Sequence, residues 1–215
     1  MHPQIERLDW GMMDYAQALA LMRARHAQRV NGEVPDGIIC VQHPPVFTLG
    51  RQGRRENVLL SDEELEAKGF GLHWVERVGD VTYHGPGQAV VYLVIDLRER
   101  GLSALGLIKA VAGAICDVVA SYGLEARWDN DNPGVWVNGR KIAAVGMAIP
   151  RKVTLHGLAL NVQPKLEHFD FIRACGLTAP NTSLAVELGH EVEMGGVFDR
   201  LYEALCRHLN GAGGD

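Results

Sequence analysis

Two side chains in this sequence could carry covalent chemistry. Cys175 stands in Ala174-Cys-Gly-Leu177, beside a glycine and in a stretch that reads as a loop. The thiolate is the reactive form of cysteine, and a nearby cation or helix terminus stabilises it. Lys141 opens the run Lys141-Ile-Ala-Ala-Val-Gly146. A lysine at the start of a strand, followed by small apolar residues, can be partly buried. Burial lowers its pKa toward neutrality and makes it a usable base. The alternative is an ordinary lysine at a hairpin tip. His84 and His156 each adjoin a glycine, and are candidate bases or pocket-shaping groups.

A loop to frame such chemistry is present at Arg77 to Gln88, which reads R-V-G-D-V-T-Y-H-G-P-G-Q. Gly79, Gly85 and Gly87 permit positive φ or close approach to a ligand, and Pro86 fixes φ beside them. The stretch is expected to be a shaped loop between two strands, Gly71 to Glu76 and Val90 to Asp96. Arg77, Thr82, Tyr83, His84 and Gln88 are its polar side chains. A plain turn with polar decoration is the competing reading.

The remaining elements must position these groups. Asp14 is placed to cap a helix with Tyr15, Leu19, Met22 and His26 at helical spacing, ended by Asn31-Gly32. Ile38 to His43 and Val46 to Leu49 read as strands separated by Pro44-Pro45. Ser61 to Glu64 forms a capping box for a short helix. Ser103 starts the longest helix, with Ile108, Val111, Ala112, Ile115, Val119 and Tyr122 on one face. Asn138-Gly139 marks a type I′ hairpin turn, because that turn needs two residues at positive φ. Val153 to Val162 is a further strand, Glu167 to Arg173 a short helix, and Val197, Leu201, Leu205 and Leu209 line a C-terminal helix. Cys40, Cys116 and Cys206 fall within these elements as small core or near-core residues. Strands in pairs with helices between the groups predict an α+β, mixed α/β fold with a largely antiparallel sheet.

Composition narrows the function. The chain has 215 residues, 47% hydrophobic and 22% charged, which suits a single globular domain over residues 1–210 with a frayed tail at 211–215. A net charge of −5 argues against nucleic-acid binding, which wants a basic surface. No apolar run reaches the about 18 residues of a membrane span, and no secretory signal opens the chain. Four scattered cysteines without a C-x-x-C fit a reducing cytoplasm and give no zinc spacing. Neither a phosphate-binding loop nor a dinucleotide fingerprint occurs, and no acidic or histidine cluster suggests a metal. The residues alone therefore point to a cofactor-free enzyme, with a cysteine nucleophile as one option.

Taken together, several segments resemble the lipoyl(octanoyl) transferases. They are His43-Pro-Pro-Val-Phe-Thr-Leu-Gly50, Arg77 to Gln88, Lys141 to Gly146, Thr154 to Val162, Ala174 to Leu177 and the pair Thr182-Ser183. Their order and spacing run from near Tyr15 to the C-terminal helix. Two positions depart from the family pattern. Val78 stands where a glycine is usual, and Ala148 where a basic residue is common.

The resemblance implies a fold shared with biotin protein ligases and lipoate ligases. It implies an acyltransferase, expected with the composition to be a cytoplasmic monomer without cofactor or metal. Octanoyl would move from octanoyl–acyl carrier protein to a lysine of a lipoyl domain, in the 2-oxoacid dehydrogenase complexes and the glycine cleavage H protein. This is the first step of endogenous lipoate synthesis. By carry-over, Cys175 would form an octanoyl thioester and Lys141 would be its acid/base partner. The acyl pocket would be lined by Arg77, Val78, Gly79, Asp80, Val81, Thr82, Tyr83 and His84, by Ala144, Val145 and Gly146, and by Gly157, Leu158 and Ala159. The basic loop Arg51 to Arg55 would be a docking site for the acidic carrier protein, or simply a solvated surface. Two other functions stay open: an ATP-dependent lipoate or biotin ligase, and a non-catalytic acyl-binding module.

Overall fold

The computed structural model describes residues 4–173 and 180–211. Its strands are β1 Glu6–Met12, β2 Gly37–Gln42, β3 Val46–Leu49, β4 Gly71–Trp74, β5 Val81–His84, β6 Gln88–Val94, β7 Arg127–Asp129, β8 Gly134–Val137, β9 Arg140–Ala148 and β10 Leu155–Asn161. Its helices are α1 Tyr15–Val30, α2 Asp62–Lys68, α3 Ala104–Ala120, α4 Leu184–Leu188 and α5 Met194–Gly211. Seven strands form one sheet in the order β1-β2-β6-β10-β9-β8-β7, and β4-β3-β5 form a second. Among the strands of the described residues, only β1 with β2 and β3 with β4 run parallel, so the sheets are largely antiparallel as the sequence predicts.

The large sheet is covered on both faces, and its central strands alternate accordingly. On β2 and β6, Ile38, Cys40, Ala89, Val91 and Leu93 join the core under α3 and α5, whereas Ile39, Val41, Val90, Tyr92 and Val94 join the one under α1. That is the period of two expected when both faces are buried. Each fully buried aliphatic side chain contributes about 1.5–3 kcal/mol. Phe47, Leu49, Val81 and Tyr83 of the small sheet form a third cluster with Val58, Leu60 and Leu65.

Local signals hold at the helix starts and at the hairpin. Asp14 accepts from the Ala16 and Gln17 N–H groups, and Ser103 from Gly106. The Ser61–Glu64 capping box is formed from both sides. Asn138 and Gly139 have φ of 49° and 73°, as a type I′ turn requires.

Four expectations are corrected. Val81–His84, expected in a shaped loop, is strand β5, because alternating Val81 and Tyr83 bury one face while the backbone pairs with β3. The strand expected to reach Glu76 ends at Trp74. The segment expected to be a short helix is a 3-10 helix over Leu166–Phe171. Gly211, expected in a frayed tail, ends α5; residues 212–215 lie outside the described residues.

Candidate active site

Lys141 reaches its place through an irregularity in pairing. On β8 and β9, Val135 faces Ala143 but Trp136 faces Lys141, so Ile142 is an extra residue on β9. Such a bulge turns the following side chains by one position. Ile142 and Ala143 are adjacent, yet both belong to the core under α3 and α5. Without the bulge Lys141 would share the buried face of Ala143, Val145 and Met147. With it, Lys141 shares the opposite face with Ala144 and Gly146, as does its partner Trp136. The lysine is half-buried, with Nζ 5.9 Å from the Trp136 ring centre.

The chain that leaves the described residues after Arg173 re-enters at Pro180, directly on this lysine. Lys141 N donates to Pro180 O at 2.9 Å, and Thr182 N donates to Lys141 O at 2.9 Å. Buried side chains fix this contact. Asn161 Nδ2 donates to Thr182 O at 3.0 Å, and Gln88 Nε2 donates to Asn161 Oδ1 at 2.9 Å. Gln88 Oε1 in turn is 2.7 Å from His84 Nδ1. On the far side, Thr182 Oγ1 donates to Glu187 Oε1, which Arg140 also holds. Ser183 caps α4 through the Val186 N–H.

Arg77, Thr82, His84, Ala144 to Gly146 and Gly157 to Ala159 line one cavity, joined by Tyr15, Tyr92 and His156. Val81 and Tyr83 point to the other side of the small sheet, where the Tyr83 hydroxyl meets His168 Nδ1 at 2.8 Å. Asp80 accepts from Asn57 and from the Val81 N–H. Val78 is 54% exposed and donates its N–H to Met147 O, so the side chain at this unusual position projects outward. The space left by Gly146 is taken up by this chain itself: a Cβ there would lie 3.2 Å from Arg77 Cδ and 3.4 Å from Val78 O. Arg77 is fixed by Thr48, donating to its carbonyl at 2.7 Å and to its hydroxyl at 2.9 Å. A Cβ at Gly157 would collide with Val91 O, so this glycine lets β6 and β10 close.

His156 breaks alternation as well. It is 2% exposed and holds a φ of 64° inside β10. A non-glycine residue in this region is strained by about 1–3 kcal/mol. Leu158 and Leu160 face the α3 side, and regular alternation would put His156 there too. Instead its ring lies edge-on to Tyr92, and its N–H meets Met22 Sδ. Its Nε2 faces Glu76 Oε2 at 3.5 Å, long for a hydrogen bond. Arg23 grips the same carboxylate at 3.0 and 2.9 Å. The His156 ring and then Arg23 hold Glu76 well below the usual carboxylate range. Burial lowers the pKa of His156, of His43 and of His84, the last to about 3. All three are neutral imidazoles near pH 7. His43 spans Met13 O and the Tyr92 hydroxyl at 2.8 and 2.7 Å, and burial pushes Tyr15 up to about 12.

Cys175, Ala174, Gly176 and Leu177 lie outside the described residues. Cys40, Cys116 and Cys206 are free thiols whose pKa burial raises, to about 12 for Cys40. They are structural, as expected. Among the described residues, no His, Cys, Asp or Glu group could hold a metal, and no helix is long and apolar enough to cross a membrane. Of the basic loop, Arg55 serves the fold, donating to Val58 O, Leu60 O and Asp62. Sequence reasoning missed Tyr15, His43 and Tyr92 as members of the site, and the Asn161 link. His43 and Asn161 left traces, as the first residue of the segment His43 to Gly50 and as an amide ending the apolar run Leu158-Ala-Leu160.

Comparison with known proteins bears on this arrangement. The sequence model of the lipoyl protein ligase A/B catalytic domain matches residues 14–206. An octanoyltransferase of Syntrophobacter fumaroxidans is 46% identical over 94% of this chain and 87% of its own length. One from Solibacter usitatus is 43% identical over 93% and 88%. Among solved structures, a lipoate protein ligase described as putative, from T. acidophilum with bound lipoic acid, superposes with a TM-score of 0.76 at 15% identity, over 96% of this chain and 86% of its own. A biotin protein ligase from Aquifex aeolicus gives 0.53 at 8% identity, over 97% and 70%. These structural likenesses bear on the fold.

Proposed function

The chain belongs to the lipoyl protein ligase A/B catalytic-domain family, and from that premise we infer that it is an octanoyltransferase acting in protein lipoylation. The observation that carries this is the 46% identity to an octanoyltransferase across 94% of the chain. The placement of Lys141 supports it, on one face with Ala144 and Gly146 and tied by its backbone to Pro180 and Thr182. Residues 1–210 act as one catalytic domain. The donor is octanoyl–acyl carrier protein and the acceptor is a lysine of a lipoyl domain.

The mechanism has two exchanges. The Cys175 thiolate attacks the donor's thioester carbonyl, and the bond to the phosphopantetheine sulfur breaks. Lys141, as ammonium, stabilises the attacking thiolate and gives its proton to the departing one. The acceptor amine then attacks the new thioester, neutral Lys141 takes its proton, and the Cys175 thiolate leaves. The first step trades one thioester for another and the second makes a more stable amide, so neither needs a nucleotide. Backbone N–H groups around the intermediate's oxygen stabilise its charge. Burial of the alkyl chain in the cavity lined by Ala144, Val145 and Ala159 contributes about 0.8 kcal/mol per CH₂.

The test is octanoyl transfer to an apo lipoyl domain, read by its mass. Transfer from octanoyl–carrier protein without ATP is expected. Modification that occurs only with free octanoate and ATP would replace this reading with a ligase.

A further inference from the structure

Lys141 has a long, flexible side chain, and an acid/base role needs its ammonium held at one place. The alkyl stem lies across Gly134 on the neighbouring strand. In the antiparallel register Val135 faces Ala143, so Gly134 stands level with Ala144, on the cavity wall. A Cβ built on Gly134 would overlap Lys141 Cε and would lie 3.1 Å from Nζ and 2.8 Å from Ala143 O. Real Cβ atoms do not make such contacts, so any side chain at 134 would drive the lysine off this path. The Trp136 ring, 5.9 Å from Nζ, closes the other side.

We propose that Gly134 is a positioning residue for acyl transfer: its missing side chain is the channel through which Lys141 reaches back from the hairpin toward Ala144. The bulge at Ile142 chooses the face, and Gly134 chooses the direction along it. This rests on Lys141 taking part in the chemistry. The glycine touches neither donor nor acceptor and acts only through the lysine.

A double-mutant cycle separates this from a role in the sheet alone. Gly134→Ala, Lys141→Ala and the double variant are compared for kcat of octanoyl transfer, its pH dependence and thermal unfolding. Gly134→Ala is expected to lower kcat by about 10²-fold, the scale of an ångström-sized misplacement. Its pH profile should change as that of Lys141→Ala does, and the double variant should be no slower than Lys141→Ala. A wild-type rate in Gly134→Ala, or an equal loss in both backgrounds, would overturn the proposal. If Gly134→Ala does not fold, the double variant decides. Recovery of folded protein identifies the Lys141 stem as the obstacle and supports the proposal. Continued misfolding identifies the Ala143 carbonyl or the φ of 156° at Gly134 as the obstacle, and overturns it. A wild-type rate in Lys141→Ala would instead remove the lysine from the mechanism itself.

Discussion

Charged and polar groups are buried in two quite different ways in this protein. Near the start of β2, Asp36 is 2% exposed and fully engaged. Arg29 Nε donates to one oxygen at 2.8 Å, Arg100 donates to the other, and the Asp96 N–H adds a third bond. Arg29 continues to Glu99, and Arg100 to Asn210 on α5. Every link joins separate segments, and none of these residues has a positive φ. At the cavity wall, by contrast, backbone regularity is broken to present polar groups. Lys141 sits beyond a bulge, and His156 holds a left-handed φ. The first region satisfies charge to fix the ends of elements. The second spends conformational energy to put one lysine and one histidine on a face that alternation would deny them. Paired burial marks a structural device here, and broken alternation marks the site.

The sharpest way to break this contrast is to remove one charge from each region. Lys141→Ala should cost about 10²- to 10⁴-fold in transfer rate, the range of a lost acid/base group, while thermal stability stays near that of the wild type. Asp36→Ala should do the reverse. Arg29 and Arg100 would each lose a buried carboxylate bond, at a cost of about 3–5 kcal/mol in denaturant unfolding. The specific activity of the remaining folded protein should be unchanged. A lysine variant that unfolds, or an Asp36 variant that folds normally, would erase the distinction.

Strain at His156 is a smaller effect with its own signature. Alanine at this position keeps the unfavourable φ, but glycine does not. His156→Gly should therefore be more stable than His156→Ala by about 1 kcal/mol in chemical denaturation. At an ordinary strand position the order is the opposite. Equal stabilities would mean that the backbone there stores no strain.

The acid limb of stability distinguishes the regions again. His84, His43 and His156 have folded pKa values below the ordinary imidazole value of about 6.5 because burial disfavours the charged ring. The unfolded chain then binds protons that the folded one does not, so stability falls as pH drops below 6.5 and levels off below each folded pKa. The slope is about 1.4 kcal/mol per pH unit for each such histidine. Glu76, with its lowered pKa, adds stability present above its unfolded value and lost as pH falls below it. His84→Gln removes one titration and should flatten the profile between pH 6.5 and about 3. An unchanged slope would place the acid sensitivity elsewhere.

Much of this was legible in the sequence wherever a signal is local. The helices α1, α3 and α5 follow from apolar spacing, with caps at Asp14 and Ser103, and the β8–β9 hairpin from Asn138-Gly139. Of the stretch Arg77 to His84, expected as lining throughout, Arg77, Thr82 and His84 border the cavity. Thr82 and His84 face the cavity, whereas Val81 and Tyr83 face the third core, because a strand rather than a loop occupies Val81–His84. Strands β1 and β7 and the short helix α4 carried no readable period. The bulge at Ile142 and the φ of His156 depend on what β8, β6 and α1 offer across the sheet, which no local window contains. The link from Gln88 through Asn161 to Thr182 joins residues far apart in the chain. Gly134 looked like any strand-opening glycine until the Lys141 stem was seen lying over it.

The central claim is an acyl chain carried on this enzyme between donor and acceptor, and intact mass tests it most directly. The purified protein is incubated with octanoyl–acyl carrier protein, with Cys175→Ser beside it. A hydroxylamine-labile octanoyl adduct is expected on the wild type, absent from the variant and discharged by adding an apo lipoyl domain. Octanoyl transfer at full rate by Cys175→Ser, with no adduct on either protein, would contradict the claim.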